Sequence, residues 1–375
     1  MRILIAGDTV PTTSNEKLFA AGDLKRLLGD ELSSLWADIP HKIMNIEAPI
    51  TDKTKKILKC GPNLSITPSV MEGFKRLNIS IANLANNHIL DYDSSGLQDT
   101  IKYFHKLNVK TVGAGNNLSD ARKPVTINED GITVGIYACA EHEFSIASPN
   151  DPGANPFDPF TSLDHIRQIK NDCDYLIVLY HGGKEHSRYP SPYLQKVCRN
   201  ISNRGADLII CQHSHAIGCE EKYNDSHILY GQGNFIFDYN DGESWQSGLL
   251  VDININSNCE VKYIPIVKDT NCIKIPNDIT AKKIMDDFWS RSENIKNGDF
   301  IHEIFSKLVH SEMDKYISSI SFFPSLLEKI DRKVFNKYFF NKFVSRGDLL
   351  RALNYIECEA HREMLIEGLK EKIKS

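Results

Sequence analysis

The sequence predicts an α/β fold, with buried sheets layered against helices and a helical region at the C-terminal end. Three observations carry this prediction. Short, β-branched apolar runs recur from the N-terminus to about residue 255. Helix-period segments stand between them, and strand signals fade from Ala281 onward. Alternation of this kind is what a layered α/β domain requires.

Residues 2–6, 42–45, 79–84, 132–138, 175–180, 208–211, 227–230 and 249–255 read as strands, short enough and apolar enough to lie inside a sheet. Leu97, Ile101, Phe104 and Leu107 fall on one helical stripe. Residues 162–171 and 192–204 read as helices, each leading into a strand. The stretch from Thr270 to Thr280, polar and containing Pro276, marks a boundary. It divides the chain into residues 1–270 and a mainly helical 271–375, with Phe322 and Phe323 before Pro324 and an aromatic cluster at Tyr338, Phe339 and Phe340.

At 375 residues with 41% hydrophobic and 25% charged side chains, the chain can bury a sizeable core without staples. A net charge of -5 argues against a nucleic-acid partner. The nine cysteines form no CxxC pair, which predicts free, mostly buried thiols in a reducing cytosol rather than a zinc ribbon. The apolar run from Ile3 to Ala6 is too short for a signal peptide, and no stretch reaches the length of a membrane span. The reading is therefore cytoplasmic, without stable membrane insertion.

Polar groups collect just past the predicted strands: Gly7-Asp8; Asn45-Ile46-Glu47-Ala48-Pro49; Ala85-Asn86-Asn87-His88 with Asp91; His181-Gly182-Gly183-Lys184-Glu185; Gln212-His213-Ser214-His215; and Gly231-Gln232-Gly233-Asn234-Phe235. Each cluster alone has an ordinary explanation as a turn, a helix cap or a surface loop. Ligand sites in α/β sheets lie outside the carboxyl ends of strands, so six clusters at such ends predict one shared site. Carboxylate, imidazole and amide donors suit Mn, Fe or Zn. Asp8, Glu47, Asn87, His181, His213 and His215 exceed the needs of one tetrahedral ion, so two divalent ions sharing a carboxylate are expected. His213 and His215 are the most specific pair, because alternate residues on an extended segment share a side. His142 and His186 lie near these segments, whereas His105, His302, His41 and His227 do not.

These motifs, in this order from Arg2 to about Asp238, resemble the CapA (poly-γ-glutamate capsule biosynthesis) family, which is related to the calcineurin-like metallophosphatases. The resemblance implies a four-layer α/β/β/α sandwich around a dinuclear metal centre. It implies that Asp8 and His215 hold one ion, that Glu47 bridges, and that Asn87, His181 and His213 complete the other. It implies that His88 faces the substrate as proton donor, oriented by Asp91. Asn86, Lys184, Glu185, Arg188 and Asn234 would contact an anionic small-molecule or polymer substrate, and capsule-biosynthesis partners are implied. The chain departs from the pattern at Val10, where related phosphatases carry histidine, at Cys211-Gln212 in place of Gly-His, and at Gly182 in place of Trp. These changes imply an altered pocket and a more open first site.

The reaction expected is hydrolysis of a phosphoester or amide-linked substrate by metal-activated water, with His88 acting on the leaving group. Two rival readings stand beside it. One is a metal-dependent epimerase or isomerase of a peptide or acidic sugar. The other is a non-catalytic accessory subunit of a capsule assembly that docks through the helical tail.

Overall fold

The computed structural model describes residues 1–374 except 239–241, 257–258, 321–324, 336–337 and 339–344. It divides into two compact units, Met1–Glu303 and Ile304–Ser375.

In the first unit the chain runs β1 (Arg2–Thr9), α1 (Glu16–Ala21), α2 (Leu24–Asp38), β2 (His41–Ile46), α3 (Met71–Leu77), β3 (Ile81–Asn83), α4 (Asp93–Lys106) and β4 (Lys110–Val112). Next come β5 (Ala114–Gly115), α5 (Leu118–Ala121), β6 (Val125–Glu129), β7 (Ile132–Ala140), β8 (Gly153–Ala154), α6 (Ser162–Asn171), β9 (Tyr175–His181), α7 (Pro192–Ser202) and β10 (Leu208–Gln212). The unit continues through β11 (Glu220–Tyr223), β12 (Ser226–Tyr230), β13 (Ser247–Ile255), β14 (Cys259–Asp269), β15 (Cys272–Lys274) and α8 (Asp278–Asn294).

Two large sheets form. One has the order β15-β14-β13-β1-β2-β3-β4 and the other β11-β12-β10-β9-β7-β6. The central strands β1–β4 of the first sheet and β7, β9, β10 and β12 of the second pair parallel, so their carboxyl ends share one edge. Alternate residues of each strand face opposite sides. Ile177, Leu179, Leu208 and Ile210 of the second sheet join Ile3, Ile5 and Ile43 of the first in one core, together with Leu28, Leu32, Phe74 and Phe104 from the helices of the first sheet. The other side of the second sheet, with Leu176, Val178 and Tyr180, packs on Ile166, Ile169, Val197 and Ile201 of α6 and α7. The result is helix, sheet, sheet, helix, the four layers expected.

All eight expected strands are present, and the three expected helices lie at or within a few residues of their expected places. The compact unit runs to Glu303, past the Thr270–Thr280 stretch read as a boundary. The reason is α8: Phe288 is fully buried, and the Ser292 hydroxyl accepts from the Glu220 amide at 2.9 Å.

The second unit contains α9 (Phe300–Ile320, which begins in the first unit), α10 (Ser325–Val334), α11 (Arg346–Glu357) and α12 (Glu359–Lys374). Phe322, Phe323, Pro324, Phe339 and Phe340 lie outside the described residues. No helix among the described residues is long and apolar enough to cross a membrane. All nine cysteines are free; Cys139, Cys198, Cys211 and Cys219 are buried, while Cys60 and Cys259 are exposed.

Candidate metal centre

Backbone geometry near the strand ends sets the site. The pairing of β1 with β2 slips between Ala6 and Asp8, leaving Asp8 opposite Asn45. Gly7 makes this possible, because a Cβ there would lie 2.1 Å from the Gly233 carbonyl oxygen. The Phe235 amide donates to the Asp8 carbonyl at 2.9 Å and ties the loop after β12 to β1. Glu47 follows β2 with its amide 3.2 Å from the Thr9 carbonyl. His181 ends β9, and His213–His215 follow β10.

These residues meet. Asp8, Glu47 and His215 form one group, and Glu47, His181 and His213 form a second; within each, one ligand-capable atom per residue lies within 4.8 Å of the others. Asn87 joins the second, its Oδ1 3.1 Å from His181 Nε2. Both groups are buried and share Glu47.

Glu47 is the informative residue. It is 0% exposed, and neither carboxylate oxygen has a hydrogen-bond partner among the described residues. A buried carboxylate without a donor is costly unless a cation answers it. His181 Nε2 stands 3.4 Å from Glu47 Oε1, His215 Nε2 3.9 Å and His213 Nδ1 4.0 Å. Two ligands each about 2.1 Å from a tetrahedral ion stand about 3.4 Å apart, so the donor set fits divalent cations.

The electrostatics agree. Burial, with the neighbouring Asp8 charge second, pushes the Glu47 carboxyl well above its usual range. Burial lowers His181 to about 4 and holds His213 well below its ordinary value. Neutral imidazoles are what a metal requires. Burial also opposes charge on Asp8 and His215, but their mutual hydrogen bond and attraction, with Glu47 adding to His215, prevail. Asp8 falls to about 2 and His215 rises to about 9. Without a cation the pocket thus sets one ion pair beside a carboxyl driven towards its neutral form.

His88 sits beside this centre. Its Nδ1 is 2.6 Å from Asp91 Oδ2. A carboxylate only accepts, so Nδ1 carries the proton and Nε2 is left for another partner. Burial lowers the His88 pKa while Asp91 pulls it upward. The other Asp91 oxygen is 2.5 Å from Lys59 Nζ, with the Lys59 and Asp91 side chains 1% and 0% exposed. Lys59 Nζ is also 3.1 Å from His88 Nδ1. Asp91 Oδ2 accepts from the Leu64 amide at 2.6 Å, and its carbonyl accepts from Ile57 at 3.1 Å. The irregular segment between β2 and α3 is thus pinned next to His88. Sequence reasoning missed Lys59, which reads as one member of a solvated lysine run.

It also missed a buried amide chain beneath the site. Asn83 Nδ2 donates to Gln212 Oε1 at 3.1 Å, Gln212 Nε2 to Gln232 Oε1 at 3.0 Å, and Gln232 Nε2 to the Ile5 carbonyl at 2.8 Å. Gln212, at the Gly-His departure, thus links the two sheets.

One premise is corrected. His213 and His215 do not lie on an extended segment; their φ values are 89° and 52°, the left-handed region that non-glycine residues seldom adopt. This turn points the two rings to different groups, which an extended pair would not do. Strain of this kind is held in place by surrounding contacts and gathers at functional sites. Here the Asp8 carboxylate accepts from the His213 amide at 3.1 Å.

The residues expected to meet substrate divide. Lys184 and Glu185 are exposed. Arg188 is engaged with the Ile217 carbonyl at 3.1 Å and with Glu243 at 2.6 Å. Asn86 is fully buried and its amide donates to the Ile46 carbonyl at 2.8 Å, making it a strut between two loops. Asn234 Oδ1 lies 2.9 Å from His215 Nδ1, while its amide nitrogen is buried without an acceptor among the described residues. The His186 ring lies 6.3 Å from that of His215, and His142 is exposed. At the Val10 departure, the side chain is buried and the amide donates to the Ile236 carbonyl at 2.7 Å.

Two sheets between helical layers, with carboxylates, imidazoles and an amide gathered where the strands end, define the class: a layered α/β protein with a candidate metal centre. Residues 2–239 match the family described as bacterial capsule synthesis protein PGA_cap, and the chain belongs to that family. It is 33% identical over 198 residues to the PGA biosynthesis protein CapA of Bacillus subtilis (strain 168), covering 52% of each chain. It is 32% identical over 203 residues to the capsule biosynthesis protein CapA of Bacillus anthracis, covering 52% of this chain and 49% of that one. The chain spans about half the length of these curated relatives. Among solved structures, a novel phosphatase from Mycoplasma pneumoniae aligns with a TM-score of 0.44 at 16% identity, covering 72% of this chain and 94% of that one.

Proposed function

We propose that this chain is a divalent-metal-dependent hydrolase that acts on a phosphoester or amide-linked substrate in the synthesis of a capsule polymer such as poly-γ-glutamate. The observation that carries the reading is the Glu47 carboxylate, buried without a hydrogen-bond donor and shared by two ligand groups. Asp8, Glu47 and His215 would hold one ion, and Glu47, Asn87, His181 and His213 the other. Manganese, iron and zinc all suit this donor set. Bound cations supply Lewis-acid polarisation and a nucleophile at neutral pH.

The chain's own residues do the rest. Asn45 and the His213 amide donate to Asp8 at 2.7 Å and 3.1 Å and fix its carboxylate. Asp91, held by Lys59 and the Leu64 amide, fixes the tautomer of His88. A substrate anion beside His88 favours its imidazolium, from which Nε2 donates a proton to a leaving oxygen or nitrogen. Lys184 supplies exposed positive charge for such an anion. The test is elemental analysis of the purified protein beside a screen of phosphomonoesters, phosphodiesters and γ-glutamyl amides. Two equivalents of metal with turnover in one class is the expected result. His213→Ala should bring the metal content down towards one equivalent. Metal-loaded protein inactive on every class, with solvent deuterium entering a peptide or sugar, would replace hydrolysis by epimerisation.

A further inference from the structure

The His215 ring meets polar partners at its edges and aromatic ones around it. Its Nδ1 lies 2.9 Å from Asn234 Oδ1 and 3.4 Å from Asp8 Oδ2, and its Nε2 lies 3.9 Å from Glu47 Oε1. Edge contacts alone leave the ring free to tilt, because the second side-chain torsion of histidine is broad and roughly two-fold. What stops the tilt is whatever lies against a face. Trp245 lies there, with ring centroids 4.3 Å apart and planes 31° from parallel. Phe237 stands perpendicular to the His215 ring at 5.4 Å and backs Trp245 at 4.9 Å.

Trp245 is itself fixed. It is buried in a short helical turn, Glu243–Gln246, that runs directly into β13. Glu243, at the start of that turn, pairs with Arg188, which also donates to the Ile217 carbonyl. Gly233 bridges Gly248, and a Cβ at Gly248 would lie 2.1 Å from the Asn234 carbonyl oxygen. The segments that bring Asn234 to an edge of His215 and Trp245 to a face are thus pressed together. The first ligand group has most to lose from a loose ring. It offers Asp8, Glu47 and His215, and Val10 stands where related phosphatases carry a further histidine. The second group has Asn87 beside Glu47, His181 and His213.

We propose that Trp245 is a positioning residue for the first ion, an inference that rests on the two-ion reading of the centre. Stacked on His215, it holds the imidazole plane in the orientation that points the ring at a cation shared with Asp8 and Glu47. Partners that orient a metal-binding imidazole from outside are worth about 10–100-fold in metal affinity.

The test is titration of the chelator-treated full chain with cobalt(II), which suits the same donors and quenches nearby indoles. Tryptophan fluorescence and bound cobalt after equilibrium dialysis are both read. Of the three tryptophans, Trp245 stacks on His215, while Trp36 packs on Phe235 and Trp289 on Phe288. Trp245→Phe keeps a ring on His215. It should bind two equivalents as tightly as the unaltered chain and lose most of the quenching. Trp245→Leu keeps apolar bulk without a flat face. It should hold one equivalent as before and bind the other about 10–100-fold more weakly, the retained ion at His181 and His213 showing that the unit is folded. Trp245→Leu binding both ions normally or losing both alike, Trp245→Phe as weak as the leucine variant, or quenching that survives in Trp245→Phe would each overturn the proposal. An unaltered chain that binds no cobalt would fail differently, by removing the metal centre and this role of Trp245 with it.

Discussion

Replacing Glu47 with glutamine keeps the side-chain shape and removes the shared charge. In the metal-free protein the change should matter little, because a carboxyl driven to its neutral form and a carboxamide are both buried polar groups without good partners. Each such group costs about 1–3 kcal/mol, so the difference between them is small. With metal the two proteins should diverge. Free ion at about a thousand times its Kd stabilises the folded state by ~4 kcal/mol per site, hence ~8 kcal/mol for two. Unfolding entropy of about 2.1 cal/mol/K per residue over Met1–Glu303 gives ~0.6 kcal/mol/K for that unit. Adding manganese or zinc to chelator-treated protein should therefore raise the melting temperature by roughly 13 °C. Glu47→Gln should lose most of that rise, since Glu47 belongs to both groups, while its metal-free melting point stays within about 3 °C of the original. Differential scanning calorimetry with and without chelator, beside elemental analysis, checks this. A glutamine variant that binds two equivalents and gains the full rise would refute the central place given to Glu47.

Three further outcomes are expected. His88→Asn should retain both ions by elemental analysis and lose activity by about 10²–10⁴-fold in whichever assay registers turnover. Gly7→Ala, which forces a Cβ against the Gly233 carbonyl, should cost about 1–3 kcal/mol in denaturant unfolding and lower metal affinity, because Asp8 follows it. Lys59→Met takes the paired cation from the fully buried Asp91 and leaves it His88 and the Leu64 amide, and should cost about 3 kcal/mol. In a double-mutant cycle with Asp91→Leu the two losses should fall well short of adding, and full additivity would contradict the pairing.

The sequence made the layers legible because buried parallel strands are continuous apolar runs, and β1, β7, β9 and β10 look like nothing else. It hid β14, whose Pro265 reads as a break. The structure tolerates that proline because β15 pairs only with Val267–Asp269, so Pro265 stands where β14 has an open edge and needs no amide. The site residues were visible as polar groups at strand ends, but their arrangement was not. The left-handed turn at His213 and His215 depends on the Asp8 contact from the far end of the chain. Lys59 was invisible because its burial is decided by Asp91, not by any local pattern. The amide chain through Asn83, Gln212 and Gln232 was hidden for the same reason, since each residue alone is an ordinary polar side chain.

The place of β1 has a consequence for how the protein is made. It pairs with β2 on one side and with β13 on the other, Ile3 lying opposite both His41 and Ile253. A ribosome must therefore release some 250 residues before the first strand gains its second neighbour. Contacts of such separation slow folding and leave an apolar edge open meanwhile. Asp8 meets Asn45 and Glu47 early but waits for His215 and for the loop carrying Asn234. Under the proposed function, metal can therefore act only once His215 has emerged, which makes loading a step that follows most of the first unit rather than a seed for it.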